Sequence, residues 1–219
     1  MYKNSEFLFK MMSLNLIILL TVIYAVVANK ILYENNFLMN SQNWQITGNK
    51  IIEPAVHQSY NIDREMSHYI MFKDNLINVD YKNKDDRSLW YFESPEIEIN
   101  PVQKYNSNES KKFQPTFPTL LTFTMTSFMG DFKNLNDDVS LVKIKHGPNC
   151  VKFKAQKYDG KMTSFNVPFK SQLWQHDITN MPVTDEEMKN MFIGPFSIEI
   201  LGDWTRGVEV IGIDNVKIM

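Results

Sequence analysis

The chain has few cysteines and glycines and no excess of basic residues, and each shortage excludes a class of protein. Its 219 residues include one cysteine, Cys150, so no internal disulfide can form and a hydrophobic core must hold the fold. The eight glycines are spread out and form no glycine-rich phosphate-binding loop. With 23 lysines and arginines against 25 aspartates and glutamates, the chain lacks the positive charge that a nucleic-acid partner requires.

The patterns that mark catalytic and metal sites are also missing. The four histidines have no spacing that brings two of them onto one helix or strand face, so no zinc site is predicted. They are His57, His68, His146 and His176. No serine lies in a Gly-x-Ser-x-Gly elbow, and adjacent acids, as at residues 85–86 and 137–138, point to opposite faces of an extended chain. We therefore predict no catalytic residues and no enzymatic activity.

The first notable feature of the chain is an apolar segment near its start. Lys3 and Lys10 precede an apolar run at residues 14–27, and residues 26–28 offer the small side chains that a signal peptidase needs. A run of about 14 residues is too short to span a bilayer comfortably. Residues 1–28 are therefore predicted to be a secretory signal peptide.

Removal of this segment would leave residues 29–219 as one domain, secreted or held in the secretory pathway. No later segment is apolar enough to cross a membrane, so no stable span is expected after cleavage. An uncleaved signal anchor is the alternative, because Met11 and Met12 could lengthen the apolar span.

Short alternating segments rich in aromatic and β-branched residues recur through the rest of the chain and predict an all-β fold. The clearest has Leu121, Phe123 and Met125 facing inward, with threonines between them facing outward. The apolar phase changes between Leu141 and Val142, which predicts a β-bulge. The predicted strands are residues 69–72, 89–92, 119–128, 139–144, 151–156, 163–169, 196–201 and 208–218.

One short helix is predicted, near residues 184–193. Thr184 and Glu187 have the spacing of a capping box, and Gly194 would end the helix. The apolar residues that share one face are Met188, Met191 and Phe192. We interpret this face as a lid on a sheet core rather than as a binding stripe.

An oxygen-rich stretch could bind Ca²⁺. Its candidate ligands are Asp131, Asn134, Asn136, Asp137 and Asp138. The stretch lacks the glycine and the closing glutamate of an EF-hand, so a turn between strands is the favoured alternative.

The polar segment at residues 101–117 is predicted to run over the surface. It contains the chain's one glycosylation sequon, Asn-Glu-Ser at residues 108–110, so Asn108 is a predicted glycosylation site.

Cys150 alternates in phase with Lys152 and Lys154, which places it on the solvent side of a strand. We favour a half-covered, inert thiol at the end of the strand. The alternative is a free thiol that links two copies into a homo-oligomer.

The most suggestive binding loop is at residues 202–207. Asp203 and Arg206 flank Trp204 between two glycines, which offers a stacking ring and polar groups to a sugar or a peptide. We predict that Asp203, Trp204 and Arg206 bind the ligand and that Trp204 is partly exposed. The alternative is that the ring packs against the sheet.

Both ends of residues 29–219 resemble galactose-binding-like β-sandwiches, the fold of many secreted carbohydrate-binding modules. Glu-Asn-Asn-Phe at residues 34–37 and Asn-Trp-Gln-Ile-Thr-Gly-Asn at residues 43–49 resemble the first strand and its tryptophan. Residues 208–218, with Asp-Asn-Val at their centre, resemble the last strand.

The middle resembles the laminin IV (laminin B) domain more closely. Trp-Tyr-Phe-Glu-Ser-Pro at residues 90–95 resembles its aromatic-x-Ala/Ser-Pro segment, and Asp-Val-Ser-Leu at residues 138–141 resembles its Asp-Val-x-Leu strand. Residues 120–125, 167–174 and 182–192 resemble its following strand, a strand ending in tryptophan, and its helix. The resemblance implies an antiparallel jelly-roll β-sandwich with one helix.

The chain departs from these families in two places. Residues 101–118 contain no glycine where laminin IV domains have a glycine-rich segment, and Leu38 stands where many binding modules have a calcium-binding glutamate. The remaining weak candidates for calcium ligands are Asp137, Asp138 and Asp214. We therefore expect no cofactor.

Together, the residues and the resemblance predict a secreted, non-enzymatic module that binds an extracellular glycan or a matrix glycoprotein. The alternative is a structural protein of an extracellular or secretory-pathway assembly that binds no small ligand. A hydrolase ranks third, because it would need a concave pocket with two carboxylates about 5 to 9.5 Å apart. The tryptophans predicted to lie inside the sandwich are Trp44, Trp90 and Trp174.

Overall fold

The computed structural model describes residues 30–38, 40–47, 55–60, 66–74, 89–99, 115–133, 135, 139–154 and 157–219. The signal peptide predicted at residues 1–28, the sequon residue Asn108 and the calcium candidates Asp137 and Asp138 lie outside these residues, so those predictions stay predictions. Within the described residues, no helix has both the length and the apolar character needed to cross a membrane.

The described residues form two antiparallel β-sheets and one short α-helix, which confirms the predicted all-β sandwich. The strands are β1 (Tyr33–Asn35), β2 (Gln45–Thr47), β3 (Ala55–Tyr60), β4 (Met66–Asp74), β5 (Tyr91–Glu93), β6 (Ile97–Glu98), β7 (Leu120–Met129), β8 (Ser140–His146), β9 (Asn149–Lys154), β10 (Thr163–Pro168), β11 (Trp174–His176), β12 (Pro195–Leu201) and β13 (Glu209–Ile218).

The first sheet has the strand order β10-β7-β13-β4-β3. Its central strand, β13, pairs with β7 along one edge, while its other edge pairs with β4 at residues 209–213 and with β1 at residues 216–218. Asn215, with a φ of 52°, lies at an irregularity between these two pairings. Asparagine enters this left-handed region more readily than most residues, so β13 can bend there and still hold both partners.

The second sheet has the strand order β11-β9-β8-β12-β5-β2, and β6 also pairs with β12. Ser94 lies between β5 and β6, and its N–H donates to the Ile198 carbonyl at 2.9 Å. The Ile198 N–H in turn donates to the Ser94 hydroxyl at 2.9 Å. A side-chain oxygen thus takes the place of a backbone carbonyl next to Pro95, which gives the Ser-Pro segment a structural role.

The core lies between the two sheets, and the predicted facing of the strands is confirmed. In β7, Leu121, Phe123 and Met125 are buried, whereas the threonines between them are partly exposed. The tryptophans predicted to be internal are also buried: Trp44, Trp90 and Trp174. These side chains hold the sheets together without a disulfide.

The predicted β-bulge in β8 is present. The pairing of β8 with β9 shifts register between Ser140 and Val142, and the consecutive residues Leu141 and Val142 are both buried. An extra residue in one strand explains why two neighbouring side chains escape the usual alternation.

Helix α1 spans Asp185–Asn190 and is therefore shorter than the predicted 184–193. Its capping box is confirmed, since the Glu187 N–H donates to Thr184 Oγ1 at 3.2 Å and the Thr184 N–H donates to the Glu187 carboxylate at 2.8 Å. Beyond the helix a turn leads to Gly194, whose φ of 86° is incompatible with further helix. The apolar face is buried as a lid on the core: Met188, Met191 and Phe192.

Every strand predicted from alternation corresponds to a strand of the structure, but β1, β2, β3, β6 and β11 were not predicted from alternation. Four of these five have only two or three residues, which is too few to show a period of two. The strand that the laminin resemblance placed at residues 167–174 is interrupted, because a 3₁₀ turn at Ser171–Leu173 separates β10 from β11.

Candidate functional site

The loop predicted to bind a ligand, residues 202–207, is folded into the protein. Trp204 is only 2% exposed, so the expectation of a partly exposed ring is wrong. Its ring packs against Tyr158 and Phe165, with centroid distances of 4.9 and 6.3 Å, and Nε1 donates to the Met125 sulfur at 3.0 Å. The ring is thus a core side chain with no open face for stacking on a sugar.

The two glycines of this loop differ in their surroundings. A Cβ on Gly202 would lie 1.8 Å from the ring of Trp90, so the missing side chain is what lets the tryptophan pack there. A Cβ on Gly207 would meet no atom within 4 Å. Gly202 therefore marks close packing in the core, not a backbone freed to present a ligand site.

A buried acidic pair, Asp203 and Glu209, lies at the base of the loop. Glu209 is fully buried, and its carboxyl accepts the N–H groups of Trp204 and Thr205, each at 3.1 Å. Burial, reinforced by the charge of Asp203, raises the pKa of Glu209 to about 9. The buried carboxyl of Glu209 connects the loop to β13 through these two hydrogen bonds.

Asp203, the other member of the pair, is also buried, whereas Arg206 is half-buried at the edge of the loop. This placement gives Asp203 and Trp204 a structural role, because Trp204 fills the core and Asp203 lies near the buried carboxyl of Glu209. The binding role predicted for Asp203, Trp204 and Arg206 stays a prediction.

The calcium candidate Asp214 is buried in β13. Its carboxylate accepts from the backbone N–H of Asn215 at 2.7 Å and from the Asn215 side-chain amide at 3.0 Å. Burial raises its pKa to about 6. Among the described residues, no three histidine, cysteine or acidic side chains come together as a metal site, and Asp131 instead accepts the N–H of Lys133.

Cys150 lies near the start of β9, half-buried and on the same face as Lys152, in line with the favoured interpretation. Burial, with a smaller contribution from the charge of Asp177, raises the pKa of its thiol to about 12. Because the thiolate is the form that attacks a disulfide, this environment suppresses exchange. A link between copies through Cys150 stays an untested prediction.

A group of charged side chains that the sequence analysis missed lies on the outer face of the second sheet. We call it the charged face; it consists of Glu93, Lys143, Lys145, Lys152, Asp177 and Glu199. The register places Lys143 between Lys152 and Glu199, and Glu199 is in turn opposite Glu93. Strands β9, β8, β12 and β5 thus bring together residues that lie far apart in the chain.

Lys145 forms the centre of one half of the charged face. Its Nζ lies 3.2 Å from Glu93 Oε1 and 2.5 Å from Glu199 Oε1. The hydroxyls of Ser197 and Thr47 donate to these carboxylates, to Glu93 at 3.3 Å and to Glu199 at 3.2 Å. Burial disfavours the lysine's charge, but Glu199 and Glu93 outweigh it, and the pKa of Lys145 is raised above its ordinary value.

Asp177 organises the other half of the charged face. Its Oδ1 lies 3.6 Å from Lys143 Nζ and 3.7 Å from Lys152 Nζ. Lys143 also lies over the ring of Tyr91, with Nζ 4.8 Å from the centroid. Lys143 is 6% and Glu199 is 5% exposed, although both point away from the core of the sandwich. These charges are therefore sunk below the surface and paired, instead of forming an ordinary solvated sheet face.

The charged face is suited to binding and poorly suited to acid–base catalysis. A polar ligand can accept hydrogen bonds from the lysines and donate hydroxyl hydrogens to the carboxylates. Glu93 and Glu199 are close together, but the ammonium of Lys145 occupies the space between them. In a glycosidase that space holds a water or the scissile bond.

The sequence shows which side of each strand carries these charges, but it does not show which strands are neighbours. Lys143 and Lys145 share one side of β8, and Cys150 and Lys152 share one side of β9. Glu93 and Glu199 come from distant segments, and their meeting depends on the strand order β8-β12-β5. Charged residues that alternate with buried ones can thus be identified within a single strand, whereas the charged residues opposite them on other strands cannot.

No family model matches the chain, and a search of curated proteins finds no match. Among solved structures the chain is similar to the L4b domain of human laminin alpha-2, with 9% identity, a TM-score of 0.52, and coverage of 85% of this chain and 97% of that one. It is also similar to the carbohydrate-binding module CtCBM11, with 10% identity, a TM-score of 0.45, and coverage of 87% and 94%. An exo-beta-agarase matches with 13% identity, a TM-score of 0.46, and coverage of 85% of this chain and 25% of that one. The laminin match confirms the predicted galactose-binding-like β-sandwich fold.

Proposed function

We propose that this protein is a secreted, non-enzymatic binding module and that its charged face binds an extracellular glycan or a matrix glycoprotein. The observation that carries the proposal is the arrangement of charges on outward positions of the second sheet. Lys143 and Glu199 are sunk below the surface, and the partly exposed Lys145 pairs with both Glu93 and Glu199. Desolvated charges cost free energy, so a sheet that needed only solubility would gain nothing by holding them there.

The chemistry of the face matches a ligand rich in hydroxyl groups. Fixed carboxylates accept from hydroxyl donors, and the lysines supply donors on the same surface. The cross-strand pairs hold these groups in place before a ligand arrives, which lowers the entropy lost on binding. The fold by itself gives no function, so the proposal depends on this face.

Catalysis is a poorer match to the same residues. Lys145 is held as an ammonium by two carboxylates, so it is neither a free base nor a nucleophile. The carboxyl with a pKa near 9, Glu209, would be an unusual proton donor, but it is fully buried beside Trp204. Neither Lys145 nor Glu209 thus serves as an accessible general acid or base.

The test is a screen of the secreted chain against glycans and purified matrix glycoproteins, followed by titration of the best ligand. Glu93→Gln keeps an acceptor for Lys145 and removes the negative charge. In the other half of the face, Lys152→Gln keeps an amide donor for Asp177 and removes the positive charge. We expect each to weaken binding at least tenfold with little change in unfolding temperature. The matched control is Lys161→Gln, whose side chain is 84% exposed and lies away from the charged face.

If both variants bind as tightly as the unaltered chain, the charged face is not the site. Binding that disappears with Lys161→Gln as well would indicate a general effect of charge. Either result would contradict the proposal.

A structural role in an extracellular assembly is the second candidate. The observation that favours it is the edge of the first sheet at β10, which pairs with β7 alone among the described residues and lies on a different sheet from the charged face. The two candidates are separable, because loss of ligand binding in Glu93→Gln would leave that edge unchanged.

A further inference from the structure

Strand β10 is an edge strand of the first sheet and has β7 as its strand partner in the described part of the chain. In an antiparallel pair, successive residues alternate between bonding their partner and pointing their N–H and C=O groups away from it. The Phe169 N–H donates to the Thr119 carbonyl at 3.0 Å, which sets the phase of this alternation. Residues 163, 165 and 167 therefore bond β7, and residues 164, 166 and 168 face the open side.

The groups on the open side are few and well defined. Pro168 has no N–H, and its carbonyl accepts from the indole of Trp174 at 2.9 Å. Ser164 and Asn166 are exposed, and both offer a backbone donor and acceptor to the open side. The open edge thus consists of two residues placed symmetrically about Phe165.

We propose that β10 pairs with β10 of a second copy of this chain, antiparallel and about a two-fold axis at Phe165. In that register Ser164 of each copy lies opposite Asn166 of the other, and both pairs exchange N–H···O bonds. The two first sheets then continue into one another across the dimer. A single strand supplies both halves of the interface because its open groups are symmetric.

The side chains of β10 are compatible with self-pairing. The strand, Thr-Ser-Phe-Asn-Val-Pro, carries no charge, so no like charges would face each other across the two-fold axis. Its outward side chains are polar and neutral, and the Ser164 hydroxyl lies 3.5 Å from that of Thr124 on β7. Natural edge strands usually carry a lysine or an internal proline against such pairing, but here Lys161, Pro168 and Lys170 lie at or beyond the strand's ends.

Hydrogen exchange of the full secreted chain tests the register directly. At high protein concentration the amides of Ser164 and Asn166 should be protected, and on dilution their exchange should accelerate at least tenfold. The amides of Phe165 and Val167 bond β7 and should be protected at every concentration. Rapid exchange of Ser164 and Asn166 at all concentrations would overturn the proposal.

Sedimentation of matched variants tests the same edge. Ser164→Pro removes one open donor and blocks approach of a second strand, and it should raise the dimer dissociation constant at least tenfold. Ser164→Val changes the side chain but keeps the backbone groups, so the dimer should persist. Thermal unfolding of both variants checks that each is folded.

A monomeric unaltered chain at the highest soluble concentration would overturn the proposal. So would a dimer that Ser164→Pro leaves unchanged, because the copies would then meet elsewhere.

Discussion

The loop at residues 202–207 and the charged face both combine acids and bases near an aromatic ring, Trp204 in the loop and Tyr91 beside Lys143, yet their surroundings differ. In the loop, Trp204 is buried and the acid that fastens it, Glu209, has a raised pKa. On the charged face, the ammonium of Lys145 is stabilised by its carboxylate neighbours. Polar and aromatic residues that are neighbours in sequence are therefore weaker evidence for a site than charges that the sheet brings together from distant strands.

The largest effect expected from this comparison is on Trp204. Trp204→Ala should lower the free energy of unfolding by about 3 to 5 kcal/mol, because it empties a site among Tyr158, Phe165 and Met125. Urea unfolding measures it, with Leu173→Ala, at an exposed position, as the control. A loss below about 1 kcal/mol would indicate that the Trp204 ring lies at the surface, and it would strengthen the prediction that this ring binds a ligand.

A smaller loss is expected from a methyl group placed at Gly202. Gly202→Ala should destabilise the protein by about 1 to 3 kcal/mol, since the new Cβ would overlap the ring of Trp90. Gly207→Ala is the matched control, because open space surrounds that position, and it should be nearly neutral. Equal effects at the two glycines would show that backbone freedom, not packing, explains both.

The next effect, a dependence of stability on pH, is expected from the buried acid that holds the loop at residues 202–207. A carboxyl whose pKa is raised by folding binds more protons in the folded state, so Glu209 makes stability fall as the pH rises from about 4.5 through about 9. Glu209→Gln keeps an acceptor for Trp204 and Thr205, so the fall should be shallower and the variant more stable than the unaltered chain at pH 9. Chemical unfolding across this range measures it. An unchanged slope would show that Glu209 is not the titrating group.

The smallest effect is expected on the charged face. Lys145→Gln should destabilise the protein by about 1 kcal/mol, because Lys145 is partly exposed and its removal leaves Glu93 and Glu199 facing each other. Their repulsion is screened by salt, so the loss should shrink between low and high ionic strength. A loss as large as that of Trp204→Ala would make this cluster a structural element and weaken its case as a site.

The sequence predicted the elements that depend on neighbouring residues. Alternation located β7 with its inward Leu121, Phe123 and Met125, and the spacing of Thr184 and Glu187 located the capped end of α1. Both patterns act within a few residues and need no knowledge of strand order.

The charged face was not predictable by the same route. The meeting of Glu93, Lys145 and Glu199 depends on β8, β12 and β5 being neighbours, which no local pattern encodes. The burial of Trp204 depends on Tyr158, Phe165 and Met125, all distant in the chain. The Gly202 position was informative, but a glycine that makes room for a ring and one that permits a turn look identical in sequence.

The central place of β13 in the first sheet constrains how the protein is made. Ribosomes add roughly 5 to 20 residues per second, and β13 follows all three of its partners, β1, β4 and β7, in the chain. Until residues 209–218 emerge, each of those strands has an unpaired edge where β13 will lie. The first sheet therefore cannot assemble during synthesis of the preceding segments. Folding of this sandwich is therefore a late event, dominated by slow, long-range strand pairing, and the interval before it is when the nascent chain is most exposed to aggregation.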